Sequence, residues 1–196
     1  LASQWSWGRC RDRIRGLRGR LGFPDAPELE FLKLRLSLDD GSLYDLLRGR
    51  PLQEDQDALL VHHIYYLLHM YAGGEPAPET SRLVTAKQLS SGVYSPVGVE
   101  QAKAIIRHRF GESPEDLIAA AKALGGSEAG LSQADYSVRI PALPLVPVFF
   151  ALWAADEEFP ASSEVYFDES ITSYLDVEAA GILAHITAER LEHALK

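Results

Sequence analysis

Apolar residues recur along the chain with two periods, and the switch between them sketches the fold. Around Glu54–Ala72, Leu60, Ile64, Leu67, Leu68 and Tyr71 fall at spacings of three and four, which predicts a helix with one buried face. Gly73-Gly74 ends it, and Glu75–Glu79 is a loop with two prolines. The same period predicts a first helix over residues 4–21, with Ile14, Leu17 and Leu21 inward, stopped near Gly22 and Pro24. Ser95-Pro96 and Ser113-Pro114 each read as a hydroxyl cap followed by proline in the first turn. The first opens a helix that buries Val99, Ala102, Ile106 and Phe110; the second runs to Leu124, with Asp116 placed for a capping box. Val177–Leu195 is a closing amphipathic helix.

Elsewhere the period is two. Glu28–Leu38 alternates Leu32, Leu34, Leu36 and Leu38 with Lys33, Arg35 and Ser37, and Asp39-Asp40-Gly41 before Ser42–Leu47 predicts a hairpin. Leu83–Leu89 leads to a Ser-Ser-Gly turn at 90–92. Tyr136–Ile140 alternates, whereas Val148–Trp153 is apolar throughout, as in a strand covered on both faces. Val165–Phe167 is a further short strand. Strands and helices do not alternate regularly, so the expected class is α+β: one domain over residues 26–196, mostly antiparallel sheet packed with amphipathic helices, preceded by a basic N-terminal helix in residues 1–25.

Composition supports one folded unit. The 196 residues are 46% hydrophobic and 24% charged, enough to bury a core without cross-links. Cys10 stands alone, which excludes an internal disulfide and an iron–sulfur cluster of the chain's own, and fits a reducing cytoplasm. No apolar run is long enough for a membrane span, and the N-terminal basic stretch lacks the apolar core of a signal peptide. A net charge of −9 argues against nucleic-acid binding through the body. The first helix is the exception, with Arg9, Arg11, Arg13, Arg15, Arg18 and Arg20 opposed nearby by Asp12 and Asp25. Such an arm can meet an acidic partner or pair with the body, and the second is the simpler expectation.

Two groups of residues carry candidate chemistry. His62, Tyr66 and His69 lie on one face of the second helix and are the natural lining of a cofactor pocket, although hydrogen-bonded structural histidines would look the same. Asp156, Glu157 and Glu158 follow the most apolar strand, and Asp168 ends the next one; gathered together, these carboxylates could hold a divalent cation or act as acid and base. If the two strands pair, the acidic groups lie near the hairpin's ends, not necessarily the same end. Pro141, Pro144 and Pro147 have polyproline spacing, but their apolar fillers favour a buried extended segment. Phosphate-loop, dinucleotide and nucleophile-elbow motifs are absent, which favours a non-enzymatic role over the well-marked enzyme classes.

From Trp153 to Ser170, Trp-Ala-Ala-Asp-Glu-Glu-Phe-Pro and Val-Tyr-Phe-Asp-Glu-Ser, the chain resembles the family called domain of unknown function 3786. Leu89–Gly98, Leu124–Gly126 and Arg139–Pro144 match the same family's layout, so the resemblance spans roughly residues 28–190. It implies an accessory protein of anaerobic redox or one-carbon metabolism that binds a cofactor, corrinoid or tetrapyrrole-like, or a partner such as an iron–sulfur or corrinoid protein. The cysteine-rich segment of some members is missing here. The family offers no catalytic residues to carry over. Two further readings stand beside it: a divalent-metal enzyme built on the carboxylates around Asp156, and an interaction module acting through the arginine-rich helix.

Overall fold

The computed structural model describes residues 4–90 and 96–195. Among them are two antiparallel sheets and six α-helices, so the chain is α+β. The first sheet is a meander of four short strands, β1 (Glu28–Phe31), β2 (Leu34–Ser37), β3 (Leu43–Asp45) and β4 (Arg50–Leu52), each paired with its successor. The second has the order β5-β9-β8-β7-β6, from β5 (Leu83–Val84), β6 (Ser127–Glu128), β7 (Tyr136–Leu143), β8 (Val146–Trp153) and β9 (Ser162–Asp168). Around them lie α1 (Trp7–Arg15), α2 (Glu54–Tyr71), α3 (Ala86–Leu89), α4 (Val97–Phe110), α5 (Glu115–Ala123) and α6 (Val177–His193), with a short 3-10 helix at Glu169–Ser173.

β8 is the axis of the second sheet and is buried from Val146 to Leu152, as its unbroken apolar run requires. The prolines expected to form an extended lead-in instead make the β7–β8 hairpin, with Pro141 facing Pro147 across it. α4 packs against both β9 and α6. At the α4–α6 crossing Gly98 lies against the backbone of Gly181, so close that a methyl group on Gly98 would overlap the Gly181 carbonyl.

The alternating run at Glu28–Leu38 is not one strand. The chain reverses at Leu32-Lys33, both at positive φ (49° and 57°), which makes a hairpin between β1 and β2. Side chains rarely adopt this conformation in a two-residue turn that usually demands Asn or Gly. The turn persists because Arg190 of α6 donates to the carbonyls of both Leu32 and Lys33. α1 is also shorter than its apolar spacing predicts: it stops at Gly16, and turns carry Leu17 and Leu21 into the core. The cap position of α5 is Pro114, with no side-chain cap, and Asp116 pairs with Arg109 at 3.5 Å rather than closing a capping box. The one capping box among the described helices is at Thr85 and Gln88, and it opens the short helix over 86–89. The Ser95 cap and, beyond Ser90, the turn expected at 90–92 lie outside the described residues.

Candidate functional site

α2 distributes its histidines over different surroundings. His69 meets α1: its Nε2 lies 3.1 Å from Arg13 Nη1, and the Trp5 ring lies 5.4 Å from the imidazole and 4.6 Å from Tyr66. Because Arg13 can only donate, Nε2 accepts and the proton of the neutral ring belongs on Nδ1. Burial and the Arg13 charge both push the His69 pKa down. Tyr66 reaches toward Asp176 at 3.4 Å, and burial followed by that carboxylate raises its phenol to about 12. A flat macrocycle ligated here would need an open slot beside a free ring nitrogen. Trp5 packs against His69 and Arg13 occupies the exposed nitrogen, while Nδ1 of both His62 and His69 is buried. In this arrangement the outward ring nitrogen of His69 is therefore already taken by Arg13.

The carboxylates do not converge. Trp153 pairs with Ser162 and Val148 with Phe167, so Asp156, Glu157 and Glu158 belong to the loop at one end of the β8–β9 hairpin, while Asp168 lies at the other. Six residues of strand separate the two ends, about 20 Å. Asp156 accepts from the backbone amides of Glu158 and Phe159 at 2.8 and 2.7 Å, shaping its own turn. Asp168 is buried and accepts from Thr80 N, Thr80 Oγ1, Ser81 N and Ser170 N, tying the 80–81 loop and the 3-10 helix to β9. Burial opposes its ionisation, but those hydrogen bonds outweigh it and hold the carboxyl below the ordinary value. Among the described residues no group of three or more His, Cys, Asp or Glu is placed to share a metal ion.

Three of the six arginines of the N-terminal arm, Arg13, Arg15 and Arg20, bond to the body. Arg15 donates to the carbonyls of Leu38 and Asp39, Arg18 pairs with Asp25 at 2.6 Å, and Arg20 donates to Ala72 O and Gly74 O at the end of α2. Gly73 leaves the room that the Arg13 guanidinium fills. Cys10 is buried, and burial pushes its thiol up against the opposing charge of Arg9.

A different set of groups does converge, between α2 and α6. A cavity of about 360 Å³ is lined by His63 from α2, by His185, Glu189 and His193 from α6, and by Arg48 from the β3–β4 turn. A second cavity of about 190 Å³ shares His63 and His185 as its wall and continues past Gln101 and Glu178. His185 Nε2 lies 3.2 Å from Glu189 Oε1, and this bond, against the opposing effect of burial, lowers the Glu189 pKa. His193 Nδ1 is 2.7 Å from the Glu189 carbonyl, which can only accept; the ring's proton is therefore on Nδ1, and Nε2 accepts from Arg48 Nη2 at 3.1 Å. Burial, then the nearby His185, lowers the His63 pKa, with Glu189 and Glu178 opposing.

The floor of this cleft is an ion pair. Asp45 is wholly buried and takes both Arg190 Nη1 (2.7 Å) and Arg190 Nη2, together with the amides of Leu47 and Arg48. Arg48 Nε also lies 3.7 Å from Asp45, so the two guanidiniums share this one carboxylate beside the imidazoles. The α6 contribution was present in the sequence as His185, Glu189 and His193, spaced by four and therefore on one helical stripe. His63 joins them only through the packing of two helices distant in the chain.

The sequence profile of the family described as Domain of unknown function (DUF3786) matches residues 39–190. That span holds all the cleft residues except His193. No curated protein and no solved structure matches the chain.

Proposed function

The chain belongs to the Domain of unknown function (DUF3786) family, whose name assigns no chemistry, and we propose that it is an accessory binding protein that holds a small anionic ligand in the α2–α6 cleft. The carrying observation is the convergence of Arg48, His63, His185 and His193 on one cavity. Its volume lies in the range of small-molecule sites, and the continuation past His63 and His185 gives length for a ligand with a polar head and a longer body. The remaining guanidinium N–H groups of Arg48 and the His63 ring suit a carboxylate or phosphate head, with His193 bonded to Arg48 and His185 to Glu189 beside them. Of the two carboxylates in the cavity wall, Glu189 is engaged by His185 and Asp57 by Arg50.

The role is that of a binder rather than an enzyme of a marked class, since the sequence lacks nucleophile and phosphate-loop motifs. The setting implied by the family resemblance is the cytoplasm of an anaerobe, with the ligand a cofactor or cofactor fragment used in redox or one-carbon metabolism and passed to an iron–sulfur or corrinoid partner.

The test begins with anaerobic purification, native mass spectrometry and elemental analysis of the same sample. Inorganic phosphate, acetate and succinate are then titrated while the histidine ring signals are followed by NMR. The expected result is movement of the His63, His185 and His193 signals, with His62 and His69 unmoved. Arg48→Ala should weaken the responding probe about 10-fold or more, the loss of a charged hydrogen bond. Shifts centred on His62 and His69, or no response to any probe, would reject the cleft as the site.

A further inference from the structure

The strongest feature outside the cleft is a single side chain at the tip of the β8–β9 hairpin. Of the seven phenylalanines, six (Phe23, Phe31, Phe110, Phe149, Phe150 and Phe167) are buried, whereas Phe159 is 65% exposed. Leaving an aromatic ring in water forgoes the largest kind of hydrophobic burial that a single side chain supplies. The backbone that carries the ring is held in place. Asp156 N donates to Phe159 O at 3.0 Å, Asp156 Oδ1 accepts from Phe159 N, and Pro160 fixes the next φ. The loop base is tied as well, with Ala154 N donating to Asp135 and Trp153 Nε1 donating to Gln133 O. Presenting this residue to a partner therefore costs little backbone ordering entropy.

Charge narrows what it can meet. Residues 154–161 contain three carboxylates and no basic side chain, and Asp135 adds a fourth at the loop base. An acidic tip is repelled by phosphates, which disfavours nucleic acid and anionic bilayers. We propose that Phe159 is a docking anchor for a different protein, one that presents an apolar socket rimmed by Arg or Lys, with the ring in the socket and Glu157 and Glu158 against the rim. Aromatic anchors inside a charged rim are the usual form of an interface hot spot. A second copy of this chain offers a poor socket at its N-terminal arm. Its own basic hollow at Arg15, Arg18 and Leu38 has those arginines engaged by backbone carbonyls and by Asp25, with Asp39 in its wall.

The full chain carrying Phe159→p-benzoylphenylalanine, expressed in the source cells and illuminated, supplies the test. The proposal expects one protein to be cross-linked reproducibly, at an apolar position with Arg or Lys around it by mass spectrometry. With that protein purified, Phe159→Ala should weaken binding about 30-fold or more. Glu157→Gln with Glu158→Gln should slow association several-fold and flatten its salt dependence. Near-UV circular dichroism of Phe159→Ala should match the parent, since the side chain is exposed; a collapsed spectrum would make the ring structural and overturn the docking role. Cross-links to a second copy, to lipid or nucleic acid, or scattered over unrelated proteins would overturn it too, as would no cross-link or unchanged affinity in Phe159→Ala.

Discussion

Arg190 of α6 grips Asp45 of β3 with two guanidinium nitrogens, and the same side chain donates to the carbonyls of Leu32 and Lys33. One residue thus joins the last helix to the first sheet, floors the cleft and clamps a turn that side-chain-bearing residues rarely form. Asp45 is buried, yet hydrogen bonds from Arg190 and the Arg48 amide keep its carboxyl below the ordinary value in spite of that burial.

Breaking that pair should be costly. Asp45→Ala leaves a buried guanidinium short of its counter-charge, and the expected loss is about 3–5 kcal/mol in urea unfolding. Asp45→Ala combined with Arg190→Met should recover only part of the loss, because two turn carbonyls then lack a donor. Full recovery would show that the clamp on Leu32-Lys33 contributes nothing.

Gly98 and Gly181 let α4 and α6 touch backbone to backbone. An alanine in a helix is ordinarily better than glycine by about 1 kcal/mol. Here Gly98→Ala should instead destabilise by about 1–3 kcal/mol, because the methyl forces the helices apart. Gly8→Ala, in α1 with open space around it, is the control and should stabilise by about 0.5 kcal/mol. Thermal unfolding of the two variants checks the sign of each.

His63 and His69 bind protons less readily in the folded chain than at the ordinary value of 6.5. The unfolded chain therefore takes up more protons just below that value, so stability rises with pH there and falls on acidification. The urea midpoint should drop from pH 7.5 to pH 5.5. His63→Gln and His69→Gln should each flatten that dependence; an unchanged slope in both would remove these imidazoles as its source.

Asp168 organises the loop before β5 rather than facing the Asp156 turn. Asp168→Ala should cost about 1–3 kcal/mol through unpaired amides at Thr80 and Ser81, and limited proteolysis should begin near residues 78–82. Magnesium or zinc should not alter the loss in either protein. A cation-dependent difference would return Asp168 to the metal reading.

Much of the fold was legible before any coordinates, and the particular elements show why. α2 and α6 announce themselves because long amphipathic stripes at spacings of three and four have one stable solution. β8 does so because an apolar run of strand length between turn residues must be covered on both faces. Leu32-Lys33 was not legible as a turn, because neither residue has the local preference for positive φ. What stabilises it arrives from Arg190, 157 residues later by separation from Lys33.

The candidate site divides in the same way. Sequence alone determined the α+β class, the absence of a cysteine cluster, the basic arm, and the residue types available for binding. It also held the His185, Glu189 and His193 stripe, since helical spacing is a local property. Tertiary structure alone decided which of those groups meet. It folded the arginine arm onto the body, placed Trp5 over Tyr66 and His69, and set Asp168 and Asp156 at opposite ends of one hairpin. It also brought His63 across to α6 and left Phe159 in water. Periodicity reports which face of an element is buried; the neighbour that buries it depends on packing between segments remote in the chain, and no local pattern encodes that.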